Sequence, residues 1–143
     1  YWVVRDAGYS PEQLTVFKYQ SEGAATLEDG LYVHEKNLSD AAFKDKMVRF
    51  VRASMKGWKY AEENPKEAAM IILDNDDAGV QTEKHQVRMM GEIAKLTAGS
   101  NGSLDPADYE RTVKVLMSGD SDPVITKKPS GAWTNEITNA ALN

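Results

Sequence analysis

The sequence predicts a helix-rich α/β fold with few strands, and two observations support this prediction. Leu14, Val16 and in part Phe17 alternate with polar residues, and residues 31–33 form a short apolar run, as β-strands do. From Ser39 onward, apolar residues recur at helical spacing in four or five segments. Since two strands alone do not form a stable sheet, we expect an earlier part of a longer protein to supply further strands. The alternative is a mainly helical piece.

The first third of the chain contains the predicted strands. The opening "YWVVRDAG" is consistent with either a strand or the last turns of a helix. "SPEQ" offers a helix cap followed by a proline, but "LTVFKY" follows too soon for a long helix and is predicted as a strand. "QSEGAAT" is predicted as a loop of small residues. "GLYVHE" is predicted as a second strand, buried on both faces or nearly so.

The remainder is predicted to be helical, with boundaries set by caps and prolines. A long helix follows the N-cap Ser39 and ends at Asn64-Pro65, where Pro65 opens the next helix. Further helices are predicted near Thr82, after Asp105-Pro106 and within residues 132–142, and residues 118–131 are predicted as a loop. The apolar stripe of the long helix is predicted to be core: Phe43, Met47, Phe50, Val51, Met55 and Trp58.

Composition excludes several classes of function. The chain has 143 residues, enough for one compact domain, and its net charge of -5 argues against a general nucleic-acid binder. It has no cysteine, which excludes disulfides, thiolate metal sites and a cysteine nucleophile. No apolar run approaches the ~18 residues of a membrane span. The chain starts at Tyr1 without a methionine, so we expect it to be part of a longer protein.

No catalytic or metal-binding motif is evident. "DNDDAG", residues 74–79, begins like a calcium loop, but Ala78 and His85 occupy two positions where ligands are required. The two histidines, His34 and His85, do not form an H-E-x-x-H arrangement. Nucleophile-elbow and phosphate-loop motifs are also missing from the sequence. We therefore expect a binding protein without metal or cofactor, rather than an enzyme.

An ordered series of sequence segments carries a family resemblance. These are "EQLTVFKYQSEGAATLEDGLYV", then "F..K...F.RAS..GW.YA.ENP.EA..I.L", then "HQ...M.EI.KL" and finally "GAWTNE.T.AAL". Together they resemble the substrate-binding proteins of bacterial ABC importers. The most similar branch takes up nitrate, sulfonates, taurine and thiamine-precursor pyrimidines. No single segment is specific, but their order extends over nearly the whole chain.

The resemblance implies the C-terminal half of a two-lobed type II periplasmic-binding-protein fold. Residues 1–26 would end the second lobe, and residues 27–143 would supply a crossover strand and helices that pack mainly on the first lobe. The implied ligand contacts are Glu28 and Asp29, and the alternative is that Asp29-Gly30 is only a turn. Glu22 is a further candidate. Tyr1 and Trp2 are candidates because aromatic rings stack on planar ligands, and the alternative for both is a place in the core. Two adjacent acids suit a cationic or hydrogen-bond-donating head group, such as an aminopyrimidine, and would repel nitrate.

The resemblance also implies capture of a small solute without chemistry, by a protein outside the cytoplasm that docks on a membrane permease. With half of the cleft missing, residues 1–143 by themselves are not expected to bind ligand. An alternative is an enzyme on the same fold, similar to fungal pyrimidine-precursor synthases, which use a histidine of the protein together with iron. A third possibility is a freestanding helical interaction domain.

Overall fold

A computed structural model describes residues 1–119 and 121–143. Asp120, within the predicted loop 118–131, lies outside the described residues. Six α-helices are present in the described part, together with 3-10 turns at Pro11–Gln13 and Glu35–Ser39. The helices are α1 Trp2–Asp6, α2 Ala41–Glu63, α3 Pro65–Asp74, α4 Glu83–Thr97, α5 Pro106–Leu116 and α6 Glu136–Leu142. The prediction of a helix-rich fold is confirmed.

The chain divides into two compact units. Unit 1 comprises Tyr1–Gly30 and Asp105–Ser130, and unit 2 comprises Leu31–Leu104 and Gly131–Asn143. Unit 1 therefore contains α1 and α5, and unit 2 contains α2, α3, α4 and α6. The assignment of residues 1–26 and 27–143 to two lobes stays a prediction.

Helix boundaries follow the local capping chemistry. Thr82 Oγ1 accepts from the backbone N–H of His85 at 3.3 Å and begins α4, while Asp105 Oδ1 accepts from Ala107 N at 2.7 Å and begins α5. α2 ends at Glu63, and α3 begins at Pro65, as predicted. The N-cap of α2 is Asp40 rather than the predicted Ser39, because the Asp40 carboxylate accepts from the first free N–H groups.

The core is built from small side chains. Among the described residues, the buried apolar positions are Ala68, Ala69, Val113 and Ala141. In unit 2, α3 packs against α4, and α2 packs against α3, α4 and α6. Alanine at these contacts allows helix axes to approach closely, because little side-chain volume separates them.

The predicted core stripe of α2 is only partly correct. Met47, Val51 and Met55 are half-buried, but Phe50 is 55% exposed and Trp58 is 46% exposed. The helices that pack on α2 shield only part of its surface. The stripe therefore marks the packed side of α2 without placing every large side chain in a core.

The two predicted strands are not formed in the described residues. Residues 14–18 and 24–34 have no regular secondary structure, and "YWVVRD" forms helix α1. A strand requires a partner for its ladder hydrogen bonds, and no described segment pairs with either run. Their apolar side chains are consequently exposed, at 72% for Phe17 and 83% for Tyr32. A helix-rich fold with these unpaired apolar runs is consistent with the helical part of an α/β fold.

In the described part of the chain, no helix combines the length and apolar character that crossing a membrane requires.

Candidate functional site

The predicted acidic pair, Glu28 and Asp29, follows a segment that is held in place within unit 1. Before it, residues 18–24 form a compact turn, in which Ser21 N donates to Lys18 O at 2.8 Å and Ala24 N donates to Tyr19 O at 2.9 Å. Gly23 has a φ of 69°, a conformation that favours glycine. The turn directs the chain onto helix α5.

Helix α5 anchors this segment through hydrogen bonds to two of its residues, Ala25 and Leu27. Arg111 Nε donates to the carbonyl oxygen of Ala25 at 3.2 Å, and the backbone N–H of Leu27 donates to Thr112 Oγ1 at 2.9 Å. The Thr112 hydroxyl in turn donates to Asp108 O at 2.9 Å, so it acts as donor and acceptor at once. The backbone immediately before Glu28 is therefore fixed by two consecutive residues of α5.

Arg111 is itself held in place by its helix. Its Nη2 lies 2.7 Å from Asp108 Oδ1, in an ion pair between residues three apart along α5. The ion pair leaves Nε available for Ala25 O, because the guanidinium presents several donors in a fixed plane. Anchoring through a planar group limits the positions that the segment before Glu28 can adopt.

The two carboxylates beyond the anchor are available for a ligand. Glu28 and Asp29 are exposed, and neither side chain has a hydrogen-bond or ion-pair partner within residues 1–119 and 121–143. Two adjacent carboxylates provide several acceptor sites and negative charge, which suit a cationic or donor-rich group. The described residues contain no cluster of three or more histidine, aspartate or glutamate side chains that could hold a metal ion.

The other predicted site residues also belong to unit 1. Tyr1 and Trp2 form an edge-to-face aromatic pair with ring centroids 5.0 Å apart and an interplanar angle of 74°. Glu22 lies in the turn that precedes the anchored segment, where its backbone N–H donates to Lys18 O at 3.2 Å. The assignment of these residues to a ligand site stays a prediction.

A second polar group lies in the turn after α1. Ser10 N donates to Gln13 Oε1 at 2.8 Å, which fixes the 3-10 turn. A hydrogen bond from the Ser10 side chain, assisted by the Glu12 backbone N–H and by the charge of Arg5, lowers the pKa of Glu12 below its ordinary value. The lowered pKa favours the ionised form of Glu12.

In the aspartate-rich loop after α3, the Asp76 carboxylate accepts a hydrogen bond from the loop's own backbone. Asp76 Oδ2 accepts from Gln81 N at 2.7 Å, and Asp76 O accepts from Gly79 N at 3.0 Å. Gly79 adopts a φ of 62° to close the turn. These bonds explain the acidic loop as a local turn between α3 and α4.

A shallow groove in unit 2 does not have the size of a ligand site. The space is about 170 Å³ with open solvent included, and it is lined by Trp58, Ala61, Met90, Ile93 and neighbouring side chains of α2 and α4. Sites for small organic ligands are usually ~300–1,000 Å³. The groove is therefore a gap in the packing of two helices.

Comparison with known proteins gives one match. A family model described as NMT1/THI5 like matches residues 3–68. This range is just under half of the chain and contains the anchored segment, Glu28, Asp29 and all of α2. The match supports a solute-binding family in broad terms. No curated protein and no solved structure matches the chain.

Sequence reasoning missed the two residues that hold the segment before the acidic pair. Arg111 and Thr112 contact Ala25 and Leu27 across 86 and 85 positions of sequence. Neither residue belongs to a motif, and helical spacing alone gives no reason to connect α5 with the acidic pair. Only the folded chain reveals these contacts.

Proposed function

We propose that this chain belongs to the extracytoplasmic solute-binding component of an ABC importer. The protein would capture a small nitrogen- or sulfur-containing solute and deliver it to a membrane permease. The NMT1/THI5-like match over residues 3–68 supports this proposal, as does the ordered series of similar segments described above.

The observation that carries the proposal is the anchored acidic pair. Arg111 and Thr112 fix the chain just before Glu28 and Asp29, whose carboxylates have no partner in the described part of the protein. A backbone held just before the two acceptors reduces the entropy lost when a ligand binds, which favours affinity.

The chemistry of the pair favours a donor-rich solute. Neutral aminopyrimidines present an exocyclic N–H₂ group, and taurine presents an ammonium, so both match carboxylate acceptors. Nitrate has no donor and is repelled by both charges. Among the solutes proposed, aminopyrimidines fit best, because a planar ring also suits stacking on Tyr1 or Trp2.

The test uses the full-length protein and three probes: 4-aminopyrimidine with a 2-methyl group, taurine and nitrate. We expect the aminopyrimidine to raise the melting temperature and to bind reversibly in calorimetry. Asp29→Ala should weaken binding about tenfold or more, since a hydrogen bond to a charged group contributes ~1.5–3 kcal/mol. Asp77→Ala, which removes an exposed acid from unit 2, is the matched control.

Two results would contradict the proposal. One is that no probe changes the melting temperature, and the other is that Asp29→Ala and Asp77→Ala bind the aminopyrimidine equally well. Consumption of the probe, followed by chromatography, would instead favour the alternative of an enzyme on the same fold.

A further inference from the structure

Helix α6 is attached to α2 by polar contacts at both of its ends. Lys44 Nζ lies 2.6 Å from Glu136 Oε1, at the first residue of α6. Two turns later along α2, Arg52 Nε donates to Ala141 O at 3.0 Å and Arg52 Nη2 donates to Ala140 O at 3.2 Å. Lys44 and Arg52 are eight positions, or about 12 Å, apart on one helix face, so α6 lies along α2 in the same direction.

A further contact fixes the residue that precedes α6. The Asn135 side chain accepts from Leu104 N at 2.9 Å and donates to Leu104 O at 2.9 Å. The side-chain amide therefore pairs with both the N–H and the C=O of Leu104, as the backbone of a neighbouring strand would. Asn135 is therefore a fixed point from which α6 begins.

Arg52 supplies hydrogen-bond donors for the last carbonyl groups of α6. A helix of seven residues is too short to be stable alone, and its last carbonyl groups have no partners within the helix. The Arg52 guanidinium donates to two of these carbonyls and places positive charge at the negative end of the helix dipole. The end of α6 is thus capped by a side chain of another helix.

Apolar burial adds little to this attachment. Of the described residues of α6, only Ala141 is buried, and Leu142 is 46% exposed. The half-buried Ile137 contributes part of one side chain. Since the hydrophobic contribution follows the apolar area removed from water, α6 depends on its polar contacts more than α3, which buries Ala68 and Ala69.

We propose that α6 is a releasable strap, fixed at Asn135 and held on α2 by Arg52. The strap opens as a unit while α2, α3 and α4 remain folded, and it uncovers the α2 face between Lys44 and Arg52, where Val48 lies. Local openings of this kind occur in segments with few buried apolar contacts. This opening of α6 does not involve the residues proposed to contact the solute.

The test is amide hydrogen exchange of the full-length protein, with Arg52→Gln compared with wild type. We expect the α6 amides, such as Asn139 N, to exchange about tenfold faster in the variant, since two bonds to a charged donor are lost. Amides of α3 should be unchanged. Arg49→Gln is the matched control, because Arg49 bonds to Asp45 within α2 itself.

Two outcomes would overturn the proposal. They are unchanged exchange in α6, and equal acceleration in α6 and α3, which would indicate global destabilisation. Exchange of the wild-type protein in low urea supplies a measurement that needs no variant. Opening of α6 should be nearly independent of urea, whereas the exchange of α3 should depend on it steeply. Equal urea dependence for both helices would also overturn the proposal.

Discussion

The packing of α3 can be tested by enlarging Ala69. This residue has no solvent exposure, and α3 packs against both α2 and α4. Ala69→Leu adds three carbon atoms to a helix interface that small side chains form, so the surrounding helices must move apart. Overpacking of this kind costs ~1–3 kcal/mol. For a chain of this size, 2 kcal/mol corresponds to about 4–8 °C in melting temperature.

Ala53→Leu provides the matched control, because Ala53 is exposed on α2. The same substitution in a helix changes intrinsic propensity by the same small amount at both positions. We expect the control to alter the free energy of unfolding by about 0.5 kcal/mol or less. Urea denaturation followed by circular dichroism measures both variants. Equal stability of the two variants would refute the reasoning, since it would mean that Ala69 is not enclosed by packed helices.

Two further predictions concern unit 2. A hydrogen bond to the Glu67 carboxylate, together with desolvation and the charge of Glu67, raises the pKa of Tyr60. Any stabilisation from this pair is therefore present at neutral pH and is lost as the pH rises through the raised pKa. Glu67→Gln should lower that pKa in a ¹³C NMR titration of tyrosine, and an unchanged value would contradict the assignment. Gly102 has a φ of 77°, and an added Cβ would lie 2.9 Å from Met55 Sδ. Gly102→Ala should therefore destabilise the protein by ~1–3 kcal/mol in urea denaturation, whereas Gly91→Ala, in open space within α4, should stabilise it by ~0.5–1 kcal/mol. If both glycine variants changed the free energy of unfolding in the same direction, the result would contradict this prediction.

Helix boundaries were the most predictable part of the fold, because capping chemistry acts over three residues or fewer. Thr82, Asp105 and the Asn64-Pro65 pair each mark a boundary that the structure confirms. The error at Ser39 has the same origin. Ser39 and Asp40 are both good caps, and the chain uses Ser39 to close a 3-10 turn, where its hydroxyl donates to Lys36 O at 2.8 Å.

The site could be predicted only in part. The acidic pair was identified through a resemblance of the segment "LEDGLYV", but its support by Arg111 and Thr112 depends on contacts between distant parts of the sequence. The burial of the large side chains of α2 likewise depends on contacts that the sequence does not reveal. Helical periodicity identified the packed side of α2, but the exposure of Phe50 and Trp58 depends on how much of that side the neighbouring helices cover.

The absence of strands in the described residues has a similar cause. Local composition favours a strand at 14–17 and 31–33, but a β-ladder is a property of two segments, and sequence preference in one segment cannot supply its partner. Val16, Phe17 and Tyr32 are exposed by 55%, 72% and 83%. Burying these side chains against further strands would gain ~25 cal/mol for each Å² of apolar surface removed from water. The sequence preference for a strand and the lack of a strand are therefore compatible. The preference belongs to one segment, whereas a strand also needs a partner segment, which the described residues do not provide.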